Sequence, residues 1–396
     1  MEAAPESSRR SRFQAALREG ERVSPLELFF DLVFVLAITQ CTALMIHHPN
    51  WEGLAQGLLV LGVLWWTWVA YSWLTSVIDP EDDVVRLVIF VAMAGVLVLA
   101  LCVPRAFGSL GLTFAIAYGV VRYAQIALYV VASRDDPGLR HSVNGLAIGT
   151  AIGVGLLATA SFFDGWAQGA IWALALALDV GAPYFAIDAG GWKLAPRHFA
   201  ERHGLILIVA LGESIVAIGV AAELSLDAGI VAAAGLGIAT VAALWWIYFD
   251  VVAVVAERRL SAAEVGRAQN EMARDSYSYL HYPMIAGIVL VALGLEKTLA
   301  HVGDPLEVVP AFALLGGVAA YLLGHVAFRY RHIHTINRRR AGLAVLLLAL
   351  LPLAVELPAL ATLAIVATLL WALIAYETRI YGDARYQLRH PEAEPT

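Results

Sequence analysis

The chain has 396 residues, of which 60% are apolar and only 15% are charged, and its mean hydropathy is +0.73. Soluble domains carry about 25% charged residues, so this composition excludes a water-soluble globular protein. The formal net charge of −7 would ordinarily argue against a membrane surface or a nucleic acid as partner, but in a membrane protein the placement of charge matters more than its sum. No nucleic-acid partner is predicted. The lipid bilayer is therefore the first predicted partner.

Twelve apolar runs approach the ~20 residues that a helix needs to cross a bilayer. Six lie in the first half, at residues 26–46, 54–78, 84–103, 108–132, 142–161 and 167–188. Six follow in the second half, at residues 203–222, 228–255, 280–300, 308–328, 341–357 and 358–376. The predicted fold class is an all-α polytopic membrane protein of about twelve transmembrane helices.

The last two runs share one apolar stretch, residues 341–376. Two spans require a break near Glu356 and Pro358, and a re-entrant pair is the alternative.

The basic residues predict the orientation. With the N-terminus inside, cytoplasmic segments hold 23 of the 26 Lys and Arg residues, outside segments hold Arg105 and Lys297, and Arg122 lies within a span. Positive residues concentrate on the cytoplasmic side of membrane proteins. Both ends of the chain are therefore predicted to be cytoplasmic, with a basic N-terminal segment (residues 1–25) and a C-terminal tail (residues 377–396).

The two halves of the chain resemble each other. Short motifs recur in the same order: Glu27 with Glu201, Trp65-Trp66 with Trp245-Trp246, Asp83 with Asp275, Gly119-Val120 with Gly317-Val318, and Gly145-Leu146-Ala147 with Gly342-Leu343-Ala344. Six spans separate equivalent helices, which predicts a parallel duplication with its pseudo-axis along the membrane normal. The predicted repeats are residues 26–188 and 203–376, joined by a cytoplasmic linker at 189–202.

Three ionisable residues fall near the bilayer centre: Arg122, Asp179 and Glu213. Each costs about 2.5 to 3.5 kcal/mol there on insertion scales, so they are predicted to face the protein interior, one another or water. One cation cannot neutralise both acids, and Glu213 is the preferred functional acid. A buried ion pair that only fixes helix packing is the alternative for Arg122 and one acid.

Further polar residues flank this centre. The offset that aligns Glu27 with Glu201 also aligns Thr39-Gln40 with Glu213-Ser214, which predicts two polar dipeptides at similar depth. Asp31 shares a helical face with Glu27 and is a candidate carboxylate at the mouth of a pathway. For Ser24 and Glu27 the spacing favours a capping box over chemistry.

The sequence gives little support for an enzyme active site or a metal site. Gly212-Glu213-Ser214 lacks the final glycine of a nucleophile elbow, and Cys41 and Cys102 lie singly in apolar runs. A metal at His325, His332 and His334 is disfavoured, because His332 and His334 are placed in a basic loop. No cofactor or metal is predicted, and Gly145, Gly149 and Gly153 are interpreted as a helix-packing face.

Several stretches resemble one bacterial family. They are Glu27 to Val35, Glu201-Arg202-His203-Gly204-Leu205 through Gly212-Glu213-Ser214, Trp245 to Phe249, and Tyr279 to Pro283 followed by Ala286-Gly287-Ile288. They are similar to the low temperature requirement A (LtrA) family across nearly the whole chain. The resemblance implies a multi-pass protein of the bacterial inner membrane linked by name to growth in the cold, and it implies no particular substrate.

The leading hypothesis is a secondary transporter or permeation protein for a small solute or ion. Its predicted pathway residues are Asp31, Thr39, Gln40, Arg122, Asp179, Glu213 and Ser214. The alternatives are a cation channel and a non-transporting membrane enzyme or stress-response scaffold. The channel is considered because Phe30 to Phe34 weakly resembles the first-helix signature of a potassium channel family with six-helix repeats. Homo-oligomerisation is compatible with all three hypotheses.

Overall fold

The computed structural model describes residues 22–134, 137–186, 192, 194–222 and 227–389. The described ranges are helical and contain no β-strand beyond one isolated bridge. The helices are α1 (Pro25–His47), α2 (Trp51–Val77), α3 (Asp83–Cys102), α4 (Gly111–Ala132), α5 (Pro137–Ala160), α6 (Gly165–Ala186), α7 (Pro196–Ala222), α8 (Ala228–Phe249), α9 (Val252–Ser261), α10 (Arg267–Met272), α11 (Tyr282–Ala300), α12 (Val308–Ile333), α13 (Arg338–Ala349), α14 (Leu351–Ala354) and α15 (Ala359–Arg389). A 3-10 turn at Val103–Arg105 follows α3, and a π-helix at Ala273–Tyr279 follows α10.

Ten helices of the described chain, counted with their kinked continuations, are long and apolar enough to cross a membrane. The chain is therefore a multi-pass membrane protein. Two predicted spans are not among the ten: α6, whose 22 residues include Gln168, Asp179 and Pro183, and the short α13 with α14.

Helix boundaries differ from the predicted spans where polar residues continue a helix. α7 starts at Pro196, within the predicted linker, because a proline suits the first helical turn while the polar residues after it lower the local hydropathy. α12 likewise continues to Ile333, beyond the predicted end at Phe328.

The chain forms two compact units. Unit 1 comprises the described residues within 1–33, 66–199 and 264–270, and unit 2 comprises those within 34–65, 200–263 and 271–396. These units do not coincide with the two predicted repeats, since α1, α2 and α7 contribute residues to both. The predicted duplication stays a prediction.

In unit 1, α3 packs on α4, α4 on α5, and α5 on α6. Glycines allow the close approach of α5 and α6: a Cβ added to Gly149 would lie 2.4 Å from the Ala182 Cβ, and one added to Gly153 would lie 3.2 Å from the Asp179 Cβ. Gly153 therefore sets how closely α5 approaches the buried Asp179.

In unit 2, α11 packs on α12, α12 on α13, and α15 on α8. Gly287 of α11 and Gly317 of α12 face each other so closely that a Cβ on Gly287 would lie 2.5 Å from the Gly317 carbonyl oxygen. Small residues at such crossings let two membrane helices pack backbone to backbone.

The long apolar stretch at residues 341–376 is broken between Ala354 and Ala359. Beside the break, Pro358 pairs with Pro305 in the isolated bridge, and the Ala359 amide donates to the Asp304 carbonyl at 2.9 Å. The start of α15 thus lies next to the connection that precedes α12, whereas α13 starts just after α12 ends.

Candidate functional site

The first turn of α1 has both hydrogen bonds of a capping box. The Ser24 amide donates to Glu27 Oε2 at 2.8 Å, and the Glu27 amide donates to Ser24 Oγ at 3.4 Å. Glu27 is only 1% exposed, so its carboxylate is held within unit 1 at the start of the helix.

The other oxygen of Glu27 contacts a residue that the sequence did not single out. Its Oε1 lies 2.8 Å from His198 Nε2, and His198 Nδ1 lies 2.9 Å from Ser76 Oγ. Ser76 Oγ is also 2.7 Å from the Ser72 carbonyl oxygen, which can only accept. Because Ser76 Oγ donates to that carbonyl, it accepts from His198 Nδ1, and His198 links Ser76 of α2 to Glu27 of α1 inside unit 1.

Asp31 is buried, and its assignment to a pathway stays a prediction. Its side chain is 3% exposed, and its Oδ1 accepts a hydrogen bond from Trp68 Nε1 at 2.8 Å. This hydrogen bond links the first turns of α1 to α2 inside unit 1. No periodic pattern in the sequence could have predicted the contact between Asp31 and Trp68.

Arg122 and Asp179 meet inside unit 1. Arg122 Nη2 lies 3.1 Å from Asp179 Oδ1, and the two residues are 0% and 2% exposed. Tyr118 donates to the other carboxylate oxygen, and Thr150 donates to Oδ1 at 3.3 Å. The pair is therefore enclosed in a polar network that joins α4, α5 and α6.

The guanidinium is further held by neutral side chains. Arg122 Nη1 donates to Gln125 Oε1 and Nη2 donates to Thr150 Oγ1, each at 3.0 Å, and Gln125 donates to the Ala70 carbonyl at 2.8 Å. Tyr118 and Gln125 lie four residues before and three after Arg122, which places them on one helical face. That spacing is the signal by which the sequence could have identified them.

Glu213 and Thr39 meet inside unit 2. Thr39 Oγ1 donates to Glu213 Oε2 at 2.5 Å and also lies 3.0 Å from the Val35 carbonyl oxygen. Glu213 is 3% exposed and Thr39 is half-buried. No Lys, Arg or His of the described residues forms an ion pair with Glu213.

The two neighbouring polar residues differ in their surroundings. Gln40 is half-buried, whereas Ser214 is fully buried and its hydroxyl lies 3.5 Å from the Ile288 carbonyl of α11. The contact shown at the Glu213 carboxylate is thus the hydroxyl of Thr39, while Gln40 and Ser214 are its neighbours in sequence. Oxygen atoms of these types are suited to holding a proton or a hard cation.

Comparisons with known proteins identify the family of the chain. The family model described as bacterial low temperature requirement A protein matches residues 22–375. An uncharacterised protein of Rhizobium meliloti (strain 1021) is 30% identical over 309 residues, which cover 75% of this chain and 75% of that protein. No solved structure matches the chain. This multi-pass helical protein therefore belongs to the bacterial low temperature requirement A (LtrA) family.

Proposed function

We propose that the protein is a secondary transporter or related permeation protein of the bacterial inner membrane, with Glu213 as the acid that binds a coupling ion or cationic solute. The observation that carries the proposal is that Glu213 accepts a hydrogen bond from Thr39 but forms no ion pair with a basic residue of the described chain. Arg122, the cation within a span, pairs with Asp179 instead. Intramembrane carboxylates are costly, and in membrane proteins they mark ion and proton pathways.

The depth of Glu213 supports this role. It lies seventeen residues after the start of α7 and nine before its end, which places it about 13 Å from the nearer helix end at 1.5 Å per residue. A carboxylate at that depth needs protein or water around it. Thr39, Gln40 and Ser214 supply neutral ligands.

The contact also supports the predicted duplication. Thr39 and Glu213 are separated by 174 residues, the same offset that aligns Glu27 with Glu201. Equivalent residues of a parallel duplication meet at similar depth when they lie near the pseudo-axis. A pathway along that axis would therefore pass this pair.

The proposed topology has twelve crossings with both termini cytoplasmic. The ten apolar helices, together with α6 and the α13–α14 segment, give that number. The bridge between Pro305 and Pro358 supports a crossing by α13–α14, since it brings the end of this segment beside the start of α12.

The Arg122–Asp179 network favours a second candidate, a non-transporting scaffold in the low-temperature response. The ion pair is buried, and its charged groups make further hydrogen bonds to neighbouring side chains. Such an arrangement is expected of an interaction that only stabilises helix packing. The same network serves the transporter by holding α4, α5 and α6 as one body.

Flux in proteoliposomes tests the proposal. Wild type and Glu213→Gln are compared with a pH-sensitive dye and a panel of monovalent cations across an imposed gradient. We expect flux in the wild type and its loss in Glu213→Gln, because the amide cannot release a proton or neutralise a cation. Continuous conductance without a coupling ion would indicate a channel.

Glu307→Gln is the matched control, because Glu307 is exposed at the start of α12. Its flux should equal that of the wild type. Equal flux in Glu213→Gln and wild type, with both proteins folded, would refute the assigned role of Glu213.

A further inference from the structure

A cavity lies in unit 2 where α8 breaks into α9, beside the last turns of α12. Its volume is about 50 Å³. It is lined by two polar side chains, Arg329 and His332, and by six apolar residues, among them Val251, Val252 and Val255. Since a water molecule needs about 10 to 15 Å³ on this measure, the cavity has room for about four water-sized groups. It can therefore hold one small polar group against hydrocarbon side chains.

His332 is the buried polar group of this cavity. The sequence placed it in a basic loop, but α12 extends to Ile333 and leaves it only 6% exposed. Neither of its ring nitrogens has a hydrogen-bond partner within the described part of the chain. The rings of Phe328 at 4.7 Å and Tyr277 at 5.9 Å fix its position. Buried polar atoms without partners cost free energy, so a ligand that pairs with this imidazole is stabilised there.

Arg329 brings a positive charge to the same cavity. It is half-buried, and it forms no ion pair with a carboxylate of the described residues. Its Nε donates to Thr335 Oγ1 at 3.2 Å, which leaves the two Nη groups for a ligand. Arg329 and His332 are three residues apart and so lie on one face of α12. A guanidinium beside an imidazole N–H suits the oxygens of a phosphate group.

The start of α9 adds to this preference for an anion. The helix has ten residues, and Val251, which precedes it, gives it no side-chain cap. The first amides of a helix have no partner within it, and the helix dipole favours negative charge at that end. Val252 and Val255 of the first turn line the cavity, so this end of α9 and the N–H of His332 lie around the same space.

The surrounding charges are mainly positive. Arg259 and Arg331 lie within electrostatic range of His332, and Arg331 is paired with Asp275 at 3.1 Å. Glu257 belongs to α9, but it does not line the cavity. The lining therefore contains a cation and no carboxylate.

We propose that this cavity binds the phosphate group of an anionic phospholipid. Arg329 pairs with the phosphate, and His332, whose neutral ring carries one N–H in either tautomer, donates to a phosphate oxygen. The adjoining hydrocarbon of the lipid lies along the valines of the α8–α9 break.

A phospholipid fits this cavity better than a free phosphate. Six of its eight lining residues are apolar, and a free phosphate makes no use of them. α12 also ends in a segment predicted to be cytoplasmic, the side on which basic pockets between membrane helices hold anionic head groups. The site lies beyond the proposed function, because it depends neither on Glu213 nor on flux.

Native mass spectrometry of the full-length, delipidated protein in a mild detergent tests the site. The probes are a short-chain phosphatidylglycerol, a phosphatidylcholine with the same acyl chains, and inorganic phosphate. The variants are Arg329→Gln, His332→Phe and the matched control Arg338→Gln, which removes an exposed arginine outside the cavity. The thermal midpoint of each protein is measured with and without each probe.

We expect one phosphatidylglycerol bound to the wild type and to Arg338→Gln, and weaker binding of phosphatidylcholine. The dissociation constant should rise about tenfold or more in Arg329→Gln and His332→Phe, because each loses a hydrogen bond to a charged group. Without lipid, His332→Phe should be at least as stable as the wild type, since phenylalanine leaves no polar atom unpaired. This comparison separates lost binding from a lost fold.

Equal binding of phosphatidylglycerol by His332→Phe and the wild type would overturn the site. Equal losses in Arg329→Gln and Arg338→Gln would also overturn it, because they would indicate attraction to the basic surface as a whole. Inorganic phosphate bound as tightly as phosphatidylglycerol would refute the lipid as the occupant. Absence of lipid binding to the folded wild type would leave water in the cavity and refute the proposal.

Discussion

Asp179 is a buried acid whose removal should weaken unit 1. It balances Arg122 at 3.1 Å and accepts further hydrogen bonds from Tyr118 and Thr150. Breaking one partner of a buried ion pair costs about 3 to 5 kcal/mol, because the other charge stays buried and unpaired. Asp179→Asn should therefore lower the thermal midpoint of the detergent-solubilised protein substantially, as followed by tryptophan fluorescence.

Asp83→Asn provides the control for Asp179→Asn. Asp83 pairs with Arg86 at 3.6 Å, but its side chain is 94% exposed, and exposed ion pairs contribute little. The thermal midpoint of Asp83→Asn should therefore match that of the wild type. A thermal midpoint of Asp179→Asn equal to that of the wild type would mean that water or another acid compensates the charge of Arg122. The hydrogen-bonded network around Arg122 would then not stabilise unit 1.

The sequence identified the charged residues better than their partners. Arg122, Asp179 and Glu213 are conspicuous because charge is rare in apolar spans, and hydropathy alone finds them. Their neutral partners are hydroxyls and amides that occur throughout membrane helices, and Thr150 lies on a different helix from both charges. The His198 contact was hidden because the polar start of α7 was assigned to a linker.

The crossing of α11 and α12 is sensitive to side-chain volume. A Cβ on Gly287 would lie 2.5 Å from the Gly317 carbonyl oxygen and 2.8 Å from the Tyr321 amide nitrogen. Both are backbone atoms, so the helices must separate. Overpacking typically costs about 1 to 3 kcal/mol, and Gly287→Ala should lower the thermal midpoint accordingly.

Gly235→Ala is the matched variant for this test. Gly235 also lies within a helix, but nothing approaches within 4 Å of its added Cβ. Alanine favours a helix over glycine by up to about 1 kcal/mol, so the midpoint should stay equal or rise. If Gly287→Ala behaved like Gly235→Ala, the close helix crossing would be absent from the folded protein.

At the scale of the whole molecule, hydropathy predicted the all-helical, multi-pass class because length and apolarity together define a membrane helix. It could not predict the break between α8 and α9 at Val251 or the π-helix at Ala273–Tyr279, because neither has a hydropathy signal. It also could not decide how residues 341–376 cross, since both alternatives have the same composition. The two alternatives differ in which connecting segment lies next to the helix break between Ala354 and Ala359.

The crossing of α13–α14 gives the last prediction. Residues 338–354 span about 25 Å at 1.5 Å per residue, and the Pro305–Pro358 bridge places their far end beside the connection before α12. Single cysteines are introduced as Glu307→Cys, Arg338→Cys and Glu356→Cys, all at exposed positions, in a Cys41→Ala, Cys102→Ala background. A membrane-impermeant maleimide should label Glu307→Cys and Glu356→Cys in intact cells and Arg338→Cys only in inverted vesicles. A re-entrant segment would instead place position 356 with position 338, and twelve crossings would then be excluded.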